Sequence, residues 1–318
     1  MNEKENEGMY AFGVDIGGTT VKLGLFDEQA KVLDKWEIPT RKENAGEQIL
    51  PDVAKSILAK MEEKGIEEKD VKGIGVGAPG AVDENGTMVG GAVNLGWGVL
   101  NIPDIMHRFI NVPVKANNDA NVAALGEMWQ GGGKGYSNIV AVTLGTGVGG
   151  GIIIGGKIVT GANGAAGEIG HIHIEDHETE TCGCKKKGCL EQYASATGIV
   201  RLAKRRLAKD EEPSMLRQSE ISTKTVFDAV KAGDKVAIQI AEQFGEYLGK
   251  GLAAVAAVVN PEAFVIGGGV SKAGDILLSF VEPAFKKYVF YPCARAGFKL
   301  ATLGNDAGIF GAAALILS

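Results

Sequence analysis

Cysteine is scarce in this chain, with four among 318 residues. That excludes a disulfide framework, which needs many cysteines, usually an even number, in a short secreted chain. An excess of positive charge is also lacking: 33 Lys and Arg face 39 Asp and Glu, a net charge of −6. The chain therefore has no electrostatic footprint for nucleic acid or an anionic membrane. Long apolar runs are missing too, and the longest, GLAAVAAVV over 251–259, is too short to span a bilayer. The first residues, MNEKENEGMY, are polar and mostly acidic without an apolar core, so no signal peptide is expected there. No G-x-x-x-x-G-K followed by Ser or Thr occurs, which excludes a P-loop protein. These absences predict a cytoplasmic protein with reduced thiols. An apolar content of 45 % with 23 % charged residues is that of a globular protein able to bury a core. The length allows one large domain or two ordinary ones.

What cysteine there is lies crowded. CGCKKKGC, residues 182–189, holds Cys182, Cys184 and Cys189, while Cys293 lies more than a hundred residues away. Three soft thiolates on one tight loop lack a single ligand for tetrahedral zinc. Three of the four histidines, His171, His173 and His177, stand just upstream in HIHIEDH. Spacing leaves open which of them completes the set, and leaves reactive or redox thiols as the alternative to a metal site.

Glycine is abundant, 47 residues, which suggests many tight turns and close backbone approaches. YAFGVDIGGTTVKLGLFD (10–27) reads as strand, glycine turn, strand, and 138–159 repeats the device around LGTGVGGG. The repetition suggests two similar α/β halves. In DIGGTT an acid ends a strand and two glycines let the backbone close round an anion, with Thr19 and Thr20 as donors. GVGAPG (75–80) and GTGVGG (145–150) fit the dinucleotide fingerprint in letters only. The first runs into a turn and the second into a strand, where a helix is required. Apolar spacing predicts helices over 45–64, with Ile49, Val53, Ile57, Leu58 and Met61 on one face, and over 120–130, 190–209, 223–231, 234–259 and 306–317. Strands are predicted at 72–80, 112–119 and 263–269. Asp119 falls at the N-terminal end of the 120–130 helix, where a helix cap is the alternative to a chemical role.

DIGGTTVKLG, GVGAPGAVD, NNDANVAALGE, LGTGVGGGI, GAAGEIGHIHI, CGCKKKGCLEQYAS and VIGGGV occur in the order expected of the ROK family of repressors, open reading frames and sugar kinases, and the chain resembles that family from about residue 10 to 318. The resemblance implies two RNase-H-like α/β domains of the actin-like ATPase superfamily with the active site in the cleft between them. The expected domains are 1–117, completed by the C-terminal helix 305–318, and 118–304, which carries the zinc site. Within the family the bacterial glucokinase branch is most similar. That branch implies ATP-dependent phosphorylation of glucose at its 6-hydroxyl. A kinase of fructose, mannose, allose or N-acetylmannosamine is the main alternative, and a polyphosphate-using enzyme a lesser one. The family's repressors carry a helix-turn-helix domain before the first glycine loop, and only about nine residues precede it here, so a repressor is not expected.

By the same resemblance Asp119 is the base that takes the proton from the sugar. Asn118, Glu168, His171 and Glu191 are sugar ligands, with Gly80 and Asn94 lining the pocket. Zinc sits on His171, Cys182, Cys184 and Cys189. One ring nitrogen of His171 holds the metal and the other faces the sugar. Asp15, Gly17, Gly18 and Thr19, with Gly145, Thr146 and Gly147, hold the ATP phosphates, and Asp15 also positions Mg2+. Gly267, Gly268 and Gly269 border the adenosine. The partners implied are sugar and ATP, with no nucleic acid or membrane, in a homodimer or homotetramer.

Overall fold

The computed structural model describes residues 9–318. The expectation that no signal peptide is present falls on residues outside these. The chain forms two compact units. The first holds the described residues up to Gly135, then Gly151–Ala166 and Asn305–Ser318; the second holds Tyr136–Gly150 and Gly167–Gly304.

The first unit is built on a five-stranded sheet. β1 (Tyr10–Ile16), β2 (Thr20–Asp27) and β3 (Val32–Pro39) form an antiparallel meander. β4 (Val71–Ala78) and β7 (Val114–Asn118) then add in parallel beside β1, giving the order β3-β2-β1-β4-β7. β4 is a near-continuous run of glycine and β-branched residues, and β1 and β4 are both buried almost throughout, as central strands require. β3 alternates half-buried Val32, Asp34, Trp36 and Ile38 with exposed neighbours, the pattern of an edge. Nothing in the sequence reading marks it, because charged residues break its apolar run. The helix expected over 45–64 is α2 (Ile49–Lys64), preceded by a short turn, α1 (Glu43–Gly46), in which Asn44 and Ala45 are left-handed. α2 buries Ile49, Val53, Ile57 and Met61 and ends on left-handed Gly65. A small insertion, β5 (Thr87–Met88), β6 (Leu100–Asn101) and α3 (Ile102–Met106), precedes β7.

No break follows residue 117, where a domain boundary is expected. β7 runs directly into α4 (Asp119–Gln130), which packs within the first unit against α10 (Ala307–Leu317). α10 lies backbone-close on the sheet. A Cβ added at Gly75 would stand 1.7 Å from the Ala312 carbonyl oxygen, and one at Gly13 2.1 Å from that of Ile309. Glycine in β1 and β4 is therefore a packing requirement.

The second sheet has the order β10-β9-β8-β11-β12, from β8 (Ile139–Leu144), β9 (Val148–Ile154), β10 (Lys157–Ile158), β11 (Ala263–Gly267) and β12 (Gly297–Leu300). The helix expected over 190–209 is two: α5 (Glu191–Ala194) and α6 (Ala196–Leu207). Ser195 turns extended between them and its hydroxyl accepts the Gly198 N–H, capping α6. α7 (Thr223–Lys231) opens on a capping box of Ser222 and Thr225, and α8 (Lys235–Val259) on Asp234. α9 (Ile276–Tyr288), unmarked in the sequence because Pro283 interrupts its pattern, packs on α8. Phe264, Phe285 and Phe298 form the aromatic centre of this unit, with ring centroids 5.1–5.5 Å apart. Both decoy glycine motifs behave as their context dictates: 75–80 runs from β4 into a turn, and 145–150 runs from a turn into β9.

Candidate active site and metal centre

In the first unit the glycine turn between β1 and β2 closes on itself, Gly17 N–H donating to the Thr20 carbonyl at 3.0 Å. Thr40, at the end of β3, props it from outside. Its hydroxyl donates to the Gly17 carbonyl at 2.7 Å and its N–H to that of Thr19 at 2.9 Å. Asp15 lies beneath the turn, against Gly308 in the first turn of α10. Burial, then the negative charge of Asp119, push its carboxyl up to about 6, against a smaller opposing pull from Lys22. Asn94 lies near Gly18.

Asp119 is the first residue of α4, but the cap is Asn118. The Asn118 side-chain oxygen accepts the N–H groups of Ala120 (3.0 Å) and Asn121 (3.1 Å). Its amide donates to the Gly80 carbonyl (3.0 Å) and to Asp119 Oδ1 (3.1 Å). Asp119 Oδ1 also accepts the Ala120 N–H at 2.8 Å. One asparagine thus caps the helix, fixes the carboxylate beside it and ties down Gly80. That glycine is left-handed at φ 106°, with the Gly91 carbonyl and Met88 sulfur too close for a Cβ. Asp15, Gly17, Gly18, Thr19, Gly80, Asn94, Asn118 and Asp119 therefore all belong to the first unit.

In the second unit the turn between β8 and β9 closes through Gly145 N–H to the Gly147 carbonyl at 3.0 Å. It is propped by the start of α6: Ala196 N–H donates to the Gly145 carbonyl (2.8 Å) and the Thr197 hydroxyl to that of Thr146 (2.8 Å). Glu191 Oε2 reaches the same turn, 3.4 Å from the Val148 N–H, and leaves no room for a Cβ at Gly147. Its other oxygen accepts the Cys182 thiol at 3.0 Å. Thr146, Gly147, Cys182, Glu191 and Arg201 line one cavity of about 330 Å³. Gly268 is left-handed under the Leu144 carbonyl, and Gly269 borders a cavity of about 250 Å³ with Thr223, Phe227 and Lys231.

The ligand atoms of His171, Cys182, Cys184 and Cys189 all lie within 4.8 Å of one another. Tetrahedral zinc with three sulfur ligands and one nitrogen would set them about 3.6–3.8 Å apart, so only a small contraction is needed. All four cysteines are free, and the Cys184 and Cys189 sulfurs, 3.5 Å apart, are not bonded. Burial pushes the Cys182 thiol up to about 12, while the Lys186 N–H lowers that of Cys184. A metal ion bound there would hold the thiolate and release that proton to solvent. His171 turns Nδ1 toward Cys182 (3.8 Å) and Nε2 toward Glu168 (3.9 Å). His173 is engaged elsewhere, with Asp176 and the Lys187 carbonyl, and stands outside the cluster. Glu168, His171, Glu191, the two glycine stretches and the cysteines therefore group in the second unit.

Sequence reasoning missed two supports. Thr40 follows a strand it did not detect. Glu178 is buried and pairs with Arg201 and with the more exposed Arg205. Its signal was present, an acid between metal ligands and two arginines four residues apart on an amphipathic helix.

The profile of the ROK family matches residues 11–318. A glucokinase of Halalkalibacterium halodurans is 42 % identical over 309 residues, 96 % of this chain and 94 % of that protein. Among solved structures, a ROK family glucokinase from Streptomyces griseus, in complex with glucose and AMPPNP, is 35 % identical, with a TM-score of 0.71 over 96 % of this chain and 99 % of that one. A ROK hexokinase from Thermus thermophilus is 31 % identical, with a TM-score of 0.79 over 97 % and 98 %.

Proposed function

Because the chain belongs to the ROK family and shares the actin-like, two-domain α/β fold of its sugar kinases, we propose that it is a glucokinase that transfers the γ-phosphoryl of ATP to the 6-hydroxyl of glucose. The observation that carries the reading is the state of Asp119. Its carboxylate is held by Asn118 and Ala120 at the head of α4, and the capping role has passed to Asn118. So positioned, Asp119 suits a base. As the sugar oxygen bonds to phosphorus, the hydroxyl proton passes to Asp119, the bond to the β-phosphate oxygen breaks, and ADP leaves with its electron pair.

Asn118 serves the sugar site as ligand and as the holder of Asp119 and Gly80, with Asn94 beside them. Glu168, His171 and Glu191 take further sugar hydroxyls, whose donor and acceptor character suits carboxylates and an imidazole. The turns at 17–19 and 145–147 offer backbone N–H groups to phosphates, and Gly267, Gly268 and Gly269 border the adenosine. Asp15, a half-buried acid beside a second acid, is the residue that would hold a magnesium ion through water; bound, the ion would neutralise phosphate charge. Zinc fits the His171, Cys182, Cys184 and Cys189 set and would act structurally, fixing the tautomer and orientation of His171. Elemental analysis of protein prepared without chelator should find about one zinc per chain.

No helix among the described residues is long and apolar enough to cross a membrane, and we place the enzyme in the cytoplasm as a homodimer or homotetramer with no nucleic-acid or membrane partner. The test is formation of the phosphorylated hexose over a panel of hexoses, with ATP and with polyphosphate as donors. Glucose with ATP should give the highest kcat/KM; a higher value for another hexose, or for polyphosphate, would overturn the assignment.

A further inference from the structure

Glu178 lies in the link between His171 and Cys182, and its side chain is 1 % exposed. A carboxylate so buried persists only when fully partnered. Its Oε1 accepts the N–H groups of Thr179 and Glu180, both at 2.9 Å, and Arg205 Nη2 at 2.9 Å. Its Oε2 accepts the Tyr193 hydroxyl and Arg205 Nη1 at 3.2 Å, and is ion-paired with Arg201 Nη2 at 3.0 Å. Burial alone would raise this carboxyl, but Arg205, Tyr193 and their neighbours hold it far below the usual carboxylate range.

The partners sit on the elements that carry the rest of the site. Tyr193 is in α5, two residues after Glu191, and Arg201 and Arg205 are one turn apart on α6. Arg201 lies over the Tyr193 ring at 4.9 Å, and that ring stacks on Tyr247 of α8 at 4.0 Å. Tyr247 in turn donates to Glu175 at 3.1 Å. Gln192 closes the other side, accepting the Cys189 N–H at 3.1 Å and donating to the Glu180 carbonyl at 3.0 Å. The link is therefore tied down at Glu175, Glu178 and Glu180, midway between the two ligands it joins.

We propose that Glu178 is a positioning residue, whose ion cluster assembles the His171–Cys182 link against α5 and α6 so that the metal ligands and Glu191 stand in place before any metal binds. The inference rests on the zinc reading above, and it assigns a separate, metal-independent task to residues that touch neither metal nor sugar.

The experiment compares wild type, Glu178→Ala and Tyr193→Phe in two readouts. The first is hydrogen exchange over 174–193 in chelator-stripped protein; the second is zinc affinity by competition with a chromophoric chelator. Metal-free wild type should exchange slowly over the link and α5. Glu178→Ala should lose that protection locally and weaken zinc by ~10–100-fold, the range for groups that orient metal ligands. Glucose KM should rise with it while ATP KM holds. Tyr193→Phe removes one hydrogen bond and should move both readouts the same way by less; it decides the matter if Glu178→Ala does not fold. Zinc bound with equal affinity by all three proteins, or fast exchange over the link in metal-free wild type, would overturn the inference alone. Wild type that takes no zinc would overturn the zinc reading and the inference with it.

Discussion

The two glycine hairpins, β1–β2 and β8–β9, look alike in sequence and close alike in structure, yet they are supported differently. The first turn is braced by Thr40 from its own sheet and has a half-buried acid, Asp15, in its own strand. The second has no acid in its strand and is braced by α6, while Glu191 of α5 brings a carboxylate to it from outside. A repeated motif thus specifies a turn but not what holds it or what charge it meets. In the first unit the negative charge is doubled, Asp15 beside Asp119. In the second it is tied, Glu191 bridging the turn and a cysteine thiol.

If the first unit carries the proton chemistry and the second the sugar grip, removing one carboxylate from each should separate kcat from KM. Asp119→Ala should lower kcat by at least ~10²–10⁴-fold with little change in glucose affinity, as expected for loss of a positioned base. Glu191→Gln should act mainly on glucose KM. Steady-state kinetics on the two variants decides it, and an equal split of effects would dissolve the distinction.

The desolvation of Asp15, with Asp119 beside it, has a cost in stability that pH should reveal. Asp15 holds its proton to about pH 6 when folded and to about 3.8 in its ordinary state. Between these values the unfolded chain binds fewer protons than the native one, so stability falls as pH rises from about 4 to about 6 and stays lowered above. The shift corresponds to as much as about 3 kcal/mol. Asp15→Asn should therefore raise the Tm of ligand-free protein at pH 7 and flatten this slope, at the expense of turnover. Unchanged melting across the window would show that Asp15 is not strained.

The braces should give the smallest effects. Thr40→Val removes a buried hydrogen bond to the first turn and should raise ATP KM by ~3–10-fold; Thr197→Val, more exposed, should raise it by less than ~3-fold. The reverse order would mean that the second turn is the more dependent on its brace.

The parts legible in sequence were those set by local pattern. Both glycine turns, the apolar face of α2, the cysteine cluster and the placement of Asp119 at a helix start could all be read directly. The parts that escaped depend on what folds against them. Edge strand β3 hides behind its charges, and α9 behind Pro283. Ser195 breaks one expected helix into two because its hydroxyl finds Gly198. The domain boundary expected after 117 failed because α4 follows its glycine contacts to α10 rather than the order of the chain. Asn118 and Asp119 are adjacent, equally good caps on paper, and only the backbone geometry gives the cap to Asn118.

That last point makes Asp119→Asn the most direct measurement of whether this residue is a base. Asparagine keeps the shape and a hydrogen-bond acceptor, and Asn118 still caps α4, so the variant should fold with near wild-type stability. It cannot take a proton. Turnover of glucose with ATP should fall nearly as far as in Asp119→Ala, with glucose binding retained. A well-folded Asn variant with wild-type kcat would contradict the account and return Asp119 to a structural role.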